Sequence, residues 1–266
     1  VHTNPDFLCL HSFWYSVFKI IDRLRSLLNW IFWLVFILSL LPGAIRLFGF
    51  DFEFDDIIST SNIVAIGVTF VLELLVEFIL IPQAESKRRD DFIDNSFGSS
   101  FSTNPSIGYY DNEEIGKGLY RASVNLFENC FFTYSLVKSI ITRKIIAPAV
   151  IMITVAVCAF YGFKQVPFAL SLLQVLFSMN LLGELVKYCI LLVRLHNIQD
   201  CWITLFQHDD FKQNVYKYAT SIYRYWLQYE ALHSRIQAGV PDSHFKKMNE
   251  TLTKDWEGIK SRYKIN

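Results

Sequence analysis

The sequence predicts an all-α membrane protein with four transmembrane helices arranged in two hairpins. Of its 266 residues, 52% are hydrophobic and 19% are charged, whereas a typical soluble domain has about 45–50% apolar and about 25% charged residues. The mean hydropathy is positive, at +0.28. In addition, four segments reach the length of about 20 apolar residues that a helix needs to cross a bilayer. The chain lacks the alternating pattern that is typical of a strand.

The first predicted hairpin is formed by residues 27–45 and 57–81. The earlier span reads LLNWIFWLVFILSLLPGAI, in which Trp30 and Trp33 are typical of the aromatic belt at a bilayer surface. The later span reads IISTSNIVAIGVTFVLELLVEFILI. Any one such segment could be the buried helix of a soluble protein, but four of them in one chain favour a membrane protein.

The second predicted hairpin is formed by residues 145–163 and 166–186, which read IIAPAVIMITVAVCAFYGF and VPFALSLLQVLFSMNLLGELV. Hardly more than Lys164 and Gln165 joins them. Because a link this short leaves no room for a crossover, the two spans must run antiparallel.

The distribution of cations orients the four spans. Arg46 and Lys164 are the two cations in the loops on one side, and the other 23 of the 25 lie in the remaining segments outside the spans. Lys and Arg are concentrated on the cytoplasmic side of membrane proteins, so both termini and the long middle loop are predicted to be cytoplasmic. The predicted organisation is a cytoplasmic or interfacial N-terminal segment (1–26), a first transmembrane hairpin (27–81), a cytoplasmic loop with a helix (82–144), a second transmembrane hairpin (145–186) and a helical cytoplasmic C-terminal region (187–266).

The segments outside the spans also carry helical patterns. Apolar residues recur at helical spacing over residues 118–143 and again over 209–237. A last helix is predicted to start near residue 242, with Asp242 or Ser243 as its cap. These patterns predict a helical cytoplasmic region rather than flexible linkers.

Polar residues inside the spans form a candidate seam. Glu73 and Glu77 stand four residues apart, so they share one face of a helix, nearer its cytoplasmic end. Span four adds Gln174, Asn180 and Glu184. Carboxylates in hydrocarbon usually face a bundle interior, a partner or water, so the seam could line a pore or join subunits. It could equally be hydrogen-bonded packing between helices.

Residues 87–101, KRRDDFIDNSFGSSF, follow span two and allow three interpretations. The simplest is a solvated helix whose cations hold the loop in the cytoplasm. A metal site would use Asp90 and Asp94, but the ligand pattern of an EF-hand is missing. A phosphate or nucleotide site would combine guanidinium groups with stacking tyrosines. The ligand-binding residues predicted on this third interpretation are Arg88, Arg89, Tyr109, Tyr110 and Arg121.

Sequence signatures of enzymes are missing. There is no GxSxG, no HExxH and no Cys/His arrangement typical of a nucleophile. We therefore predict no catalytic residue, no metal and no cofactor. A membrane-anchored enzyme using a divalent metal at Asp90, Asp91 and Asp94 is the alternative that these patterns support least. The formal net charge of zero does not favour direct binding of nucleic acid.

Several motifs together resemble a known family. They are KRRDDFIDNSFGSSFSTNPSIGYYDNEEI after span two, the following NLFENCFFTYSL, and YEALHSRIQAGVPDSHFKKMNETLTKDWEGIK in the tail. With four spans in two hairpins, they resemble the SMODS-associating four-transmembrane effectors, which accompany bacterial nucleotide-second-messenger synthetases in the antiphage systems called CBASS. The resemblance covers residues 23–260.

This resemblance implies a function without catalysis. Such an effector senses a cyclic di- or oligonucleotide, made by a partner nucleotidyltransferase after phage infection, and then oligomerises and permeabilises the bacterial inner membrane, which causes abortive infection. The resemblance supplies no ligand residues, so the sites above depend on side-chain chemistry alone. The alternative function is a constitutive ion channel or transporter whose path is the Glu73–Glu77 seam.

Overall fold

The computed structural model describes residues 13–47, 55–103, 110, 112, 114–162, 179–236 and 239–265. Within these ranges the chain is helical and has no strand, which confirms the predicted all-α class. The elements are α1 (Phe13–Leu47), α2 (Asp55–Leu75), a first π-helical segment (Val76–Leu80), α3 (Ile81–Phe97), α4 (Leu119–Tyr161), a second π-helical segment (Met179–Gly183), α5 (Glu184–Phe206), a 3-10 turn (Val215–Tyr218), α6 (Ala219–Arg235) and α7 (Asp242–Tyr263).

Among the described residues, three helical stretches are long and apolar enough to cross a membrane, as expected of a membrane protein. They are Val17–Leu41, Thr60–Phe97 and Leu119–Phe160, and their most apolar windows have mean hydropathies of 1.9, 2.5 and 2.0. Each contains most of one predicted span. The fourth predicted span, residues 166–186, lies largely outside the described residues. The orientation of the termini stays a prediction.

The helices continue well beyond the predicted spans. The predicted helix 118–143 and the predicted span 145–163 are one helix, α4, which has Pro148 in its interior. After α2, helical structure continues through the first π-helical segment into α3. This stretch ends at Gly98, which has a φ of 76° and donates its backbone N–H to the carbonyl of Asp94 at 2.8 Å. Glycine adopts this left-handed conformation most easily, which explains why the helix ends at this residue.

The chain divides into two compact units. The span unit consists of residues 21–80 and 141–187, and the core unit consists of residues 1–20, 81–140 and 188–266. In the span unit, large apolar side chains such as Trp30, Phe78 and Phe160 are exposed. Its small buried cluster joins Ile151 and Leu181, with Trp33 packed against them.

In the core unit, aromatic side chains fill the interior. Trp202, Phe127 and Trp256 are almost completely buried. The ring of Phe127 stacks on Phe206 at 5.3 Å and meets Trp256 edge to face at the same distance. Buried aromatic rings contribute large apolar areas and prefer these offset and edge-on arrangements. The core unit therefore has a packed hydrophobic interior that is independent of any bilayer.

One predicted helix start and one predicted helix cap are wrong, whereas the predicted start of the last helix near residue 242 is confirmed. The helix expected from residue 209 begins at Ala219, because the side chain of Asp210 instead accepts hydrogen bonds from Lys217 and Tyr218 in a turn. Helix α7 has Pro241 at its N-cap position and no side-chain capping bond, so Asp242 is its first residue rather than its cap.

Candidate functional site

The predicted ligand-binding residues of the core unit occupy different surroundings. Arg88 and Arg89 lie on α3 and Arg121 lies on α4, while Tyr110 lies in the connection between these helices. Tyr109 lies outside the described residues. Arg89 is half-buried, and the other three take part in specific contacts. Each of these contacts constrains what the side chain can offer to a ligand.

Arg88 lies between two carboxylates. Its Nε donates to Glu85 Oε2 at 2.9 Å, and its Nη2 donates to Glu230 Oε2 at 2.7 Å. The side chains of Arg88 and Glu230 are only 12% and 14% exposed. Buried ions need partners of this kind, since removing a charge from water is costly. Arg88 thus joins α3 to α6, and two nitrogens of its guanidinium group already donate hydrogen bonds to carboxylates.

Two further titratable groups complete this cluster, and both lie on α6. Burial raises the pKa of Tyr229, whose hydroxyl is 3.3 Å from Thr133 Oγ1. The ring of His233 packs on Tyr229 at 4.6 Å between centroids. Burial and then the positive charge of Arg88 lower the pKa of His233 to about 4. His233 is therefore neutral at pH 7, as expected for an imidazole held away from water.

Tyr110 packs inside the core unit. It is only 2% exposed, its ring meets Phe92 edge to face at 6.2 Å, and its hydroxyl accepts a hydrogen bond from Asn129 Nδ2 at 3.2 Å. A base could stack on this ring only after rearrangement of its neighbours.

Arg121 belongs to a buried polar network. Its Nε donates to Asn95 Oδ1 at 3.2 Å, and its Nη1 donates to the carbonyl of Ile115 at 3.3 Å. Asn125, which is fully buried, also donates to Asn95 Oδ1, at 3.0 Å, and accepts from Asn112 at 2.8 Å. These bonds attach the connection after α3 to α4. The network positions the loop, as buried hydrogen-bonded polar groups commonly do.

Asp94 has a related role at the end of α3. Its carboxylate accepts hydrogen bonds from the hydroxyl of Ser99 and from the backbone N–H groups of Phe101 and Ser102. Among the described residues, no three His, Cys, Asp or Glu side chains are grouped so that they could hold a metal ion.

The predicted seam lies in the span unit, where two of its carboxylates form ion pairs. Glu77, in the first π-helical segment, lies 3.5 Å from Arg25 Nη2, and Glu184 lies 2.8 Å from Lys144 Nζ. Glu73 is half-buried one turn before Glu77. Gln174 lies outside the described residues, and the side chain of Asn180 is not described. π-Helical turns are rare and are frequent at functional sites.

A third polar contact lies elsewhere in the span unit. Asn62 Nδ2 donates to Ser39 Oγ at 3.2 Å, joining α1 to α2. Asn62 is only 9% exposed. Hydrogen bonds of this kind between helices are typical of membrane proteins.

No family model, no curated protein and no solved structure matches the chain.

Sequence reasoning missed Glu230 and His233. Glu230 is 142 positions from Arg88, so no local pattern could have paired them. A signal was nevertheless present, because Glu230 and His233 follow Trp226 by four and seven residues. That spacing places them on the apolar stripe of α6, where a charged or polar side chain requires a partner.

Proposed function

We propose that this protein is a membrane effector that binds a cyclic nucleotide on the cytoplasmic side of the bacterial inner membrane and then permeabilises the membrane. The observation that carries the proposal is the combination of membrane-crossing helices with a separately packed core unit. A simple anchor does not need a folded region of this size. The resemblance of residues 23–260 to the antiphage effectors supports the identity of the signal and its consequence.

Activation follows from differential affinity. A ligand shifts the protein toward an assembled, membrane-permeabilising state only if it binds that state more tightly than the resting one. An increase of the assembled population from 1% to 99% requires a preference of about ten-thousandfold. A nucleotide shared by several copies supplies such a preference, since its contacts are complete only after the copies assemble.

The decisive experiment measures membrane potential in bacterial cells that express this chain with a cyclic-nucleotide synthetase. Depolarisation is expected when the synthetase is active, and stable polarisation is expected when its catalytic site is inactivated. If the purified, solubilised protein binds the messenger but the cells remain polarised, permeabilisation would be excluded as the output.

The seam provides a more specific test. Glu73→Gln with Glu77→Gln removes both charges while preserving side-chain size, so leak or assembly should change if these carboxylates line the path. Unchanged depolarisation would mean that the two residues only contribute to packing between helices. Glu250→Gln on α7, an exposed position, is the matched control.

A constitutive channel or transporter is the second candidate, favoured by the charged and polar contacts of the span unit. Arg25, Glu77, Lys144 and Glu184 are ionisable side chains of the kind that line ion paths. This candidate predicts conductance in liposomes without any nucleotide. The effector predicts conductance only after the messenger is added.

A further inference from the structure

An apolar surface of the core unit is built from the end of α3 and from α6. The ring of Phe97, the last residue of α3, stacks on Trp226 of α6, with centroids 6.3 Å apart and planes at 16°. The ring of Tyr223 stacks on the same indole, at 6.3 Å and 18°. Leu227 is four residues after Tyr223, so it lies on the same face of α6. We call Phe97, Tyr223, Trp226 and Leu227 the apolar surface.

Three of these four side chains are exposed. Leu227 is 69%, Tyr223 is 49% and Phe97 is 39% exposed, while Trp226 is half-buried. Large apolar side chains exposed next to one another mark a surface that meets a partner or a membrane. Aromatic residues and leucine are the side chains that amphipathic helices place at the boundary between lipid headgroups and hydrocarbon.

Cations border the apolar surface. Arg224 and Arg235 are exposed on α6, and they lie on the same side of it because they are about three helical turns apart. Lys117, in the connection after α3, packs its side chain against Gly98, the residue that follows Phe97. Its Nζ would lie 2.9 Å from a Cβ atom placed on Gly98. The cation therefore lies next to the end of α3 because this position has no side chain.

The carboxylates of the same two helices are turned away from solvent. Glu230, the one acidic residue of α6, is mostly buried and paired with Arg88. Of the four acidic residues of α3, one is half-buried, Asp90, and three are buried, Glu85, Asp91 and Asp94. The exposed charges of α3 and α6 are therefore positive.

This combination of charge and composition fits an anionic lipid surface better than a second copy of the chain. Two copies meeting symmetrically through α6 would bring two positive faces together, and α6 exposes no carboxylate to offset the repulsion. Anionic lipid headgroups instead attract Lys and Arg. The apolar side chains can then enter the boundary of the acyl chains.

The core unit is also held near any bilayer that the chain crosses. Helix α4 supplies residues 119–140 to the core unit and residues 141–161 to the span unit. A covalent link of this kind raises the effective concentration of lipid around the core unit, so even a weak contact becomes populated.

We propose that the apolar surface and its cations dock the core unit on an anionic lipid leaflet. Tyr223 and Leu227 lie at the boundary between headgroups and hydrocarbon, and Arg224 and Arg235 contact the phosphate groups. This contact is additional to the membrane-crossing helices. It requires no nucleotide, so it can fail while the proposed function holds, and the reverse.

The test is hydroxyl-radical footprinting of the full chain in nanodiscs, because oxidation detected by mass spectrometry reports the solvent access of individual side chains. One set of discs contains phosphatidylcholine alone, and the other contains equal parts of phosphatidylcholine and phosphatidylglycerol. Tyr223 and Leu227 should be oxidised more slowly in the anionic discs. High salt should remove this protection. Met248 and Tyr263 of α7 should be oxidised equally in both sets of discs.

A charge variant and its matched control identify the cause of the protection. Arg224→Gln with Arg235→Gln keeps residues that favour a helix. It should lower the ratio of docked to undocked protein about 25-fold, since each cation near an anionic leaflet contributes about fivefold. Lys247→Gln with Lys254→Gln removes two exposed cations of α7 and should keep the protection.

Three results would overturn the proposal. The first is equal oxidation of Tyr223 and Leu227 in the two sets of discs. The second is protection that survives the loss of both arginines. The third is protection that is independent of the lipid and increases with the number of chains in each disc, which would identify a contact between copies. Protection that requires the anionic lipid and the two arginines supports the proposal.

Discussion

The span unit and the core unit differ in how far their largest aromatic side chains are exposed. In the span unit, Trp30 and Phe78 are both 74% exposed, whereas in the core unit Trp202 is 0% and Trp256 is 1% exposed. Tryptophan is thus exposed at Trp30 in the span unit and buried at Trp202 and Trp256 in the core unit. A soluble protein rarely exposes so much apolar surface, so the exposed surface of the span unit is suited to hydrocarbon.

The ion pairs of the two units also differ in burial. Arg88 and Glu230 are 2.7 Å apart and mostly buried. Arg25 and Glu77 are 3.5 Å apart, with 27% and 53% of their side chains exposed. Removing one partner of a buried ion pair strongly destabilises a protein, whereas an exposed ion pair contributes little to stability. The stability of the folded chain in detergent should therefore depend on the core unit.

The largest expected effect on stability comes from replacing one tryptophan of each unit by alanine. Trp202→Ala should lower the free energy of unfolding of the core unit by about 3–5 kcal/mol, because it leaves a cavity in a packed interior. Trp30→Ala removes a side chain that is already exposed and should change it little. Chemical denaturation of the solubilised protein, followed by circular dichroism, measures both. If both variants lose the same free energy of unfolding, the two units do not differ in how tryptophan stabilises them.

The next effect is a dependence of core-unit stability on pH through His233. Its pKa is about 4 in the folded protein and 6.5 for an ordinary histidine, so the unfolded chain binds the proton more readily. The free energy of unfolding should therefore be unaffected above pH 6.5 and should fall as the pH is lowered from 6.5 to 4, by up to about 3 kcal/mol. Denaturation curves at successive pH values give this slope.

Carboxylates also titrate in this range, so the measurement needs a matched variant. His233→Phe keeps an aromatic ring against Tyr229 but cannot bind a proton, and it should have a shallower slope than the unchanged protein between pH 6.5 and 4. His208→Phe, at an exposed histidine, should retain the full slope. Parallel curves for the unchanged protein and His233→Phe would refute a neutral, buried His233.

The smallest effect sharpens the comparison of ion pairs. Glu230→Gln removes one carboxylate from Arg88 and should cost about 1.5–3 kcal/mol, as loss of a charged hydrogen bond usually does. Glu77→Gln should cost less than about 1 kcal/mol in detergent, since its pair with Arg25 is partly exposed. Thermal unfolding of both variants under one condition provides the comparison. A larger loss from Glu77→Gln would mean that the Arg25–Glu77 pair is the stronger one.

The sequence predicted the helical class and three of the membrane-crossing segments, but it placed their ends poorly. Hydropathy identifies residues suited to lipid, and it falls when the chain becomes polar, as it does after Ile81 and before Ile145. Helical hydrogen bonds do not stop at such a change. Without a glycine or an incompatible proline at the boundary, the helix continues, so α4 begins 26 residues before the predicted span.

The contacts of the candidate site were less predictable. Charge and aromatic content selected Arg88 and Tyr110 in the sequence, but the contacts of these side chains depend on residues from other helices. Glu230, for example, reaches Arg88 only because α6 packs near α3.

The ion pairs of the span unit also have a consequence for how the chain is made. Arg25 and Glu77 are 52 residues apart, and Lys144 and Glu184 are 40 apart, so each pair joins neighbouring hydrophobic segments of the nascent chain. A translating ribosome delivers the cation first and its carboxylate shortly afterwards. Each charge can therefore be neutralised as soon as the next segment emerges, before the more distant helices have been synthesised.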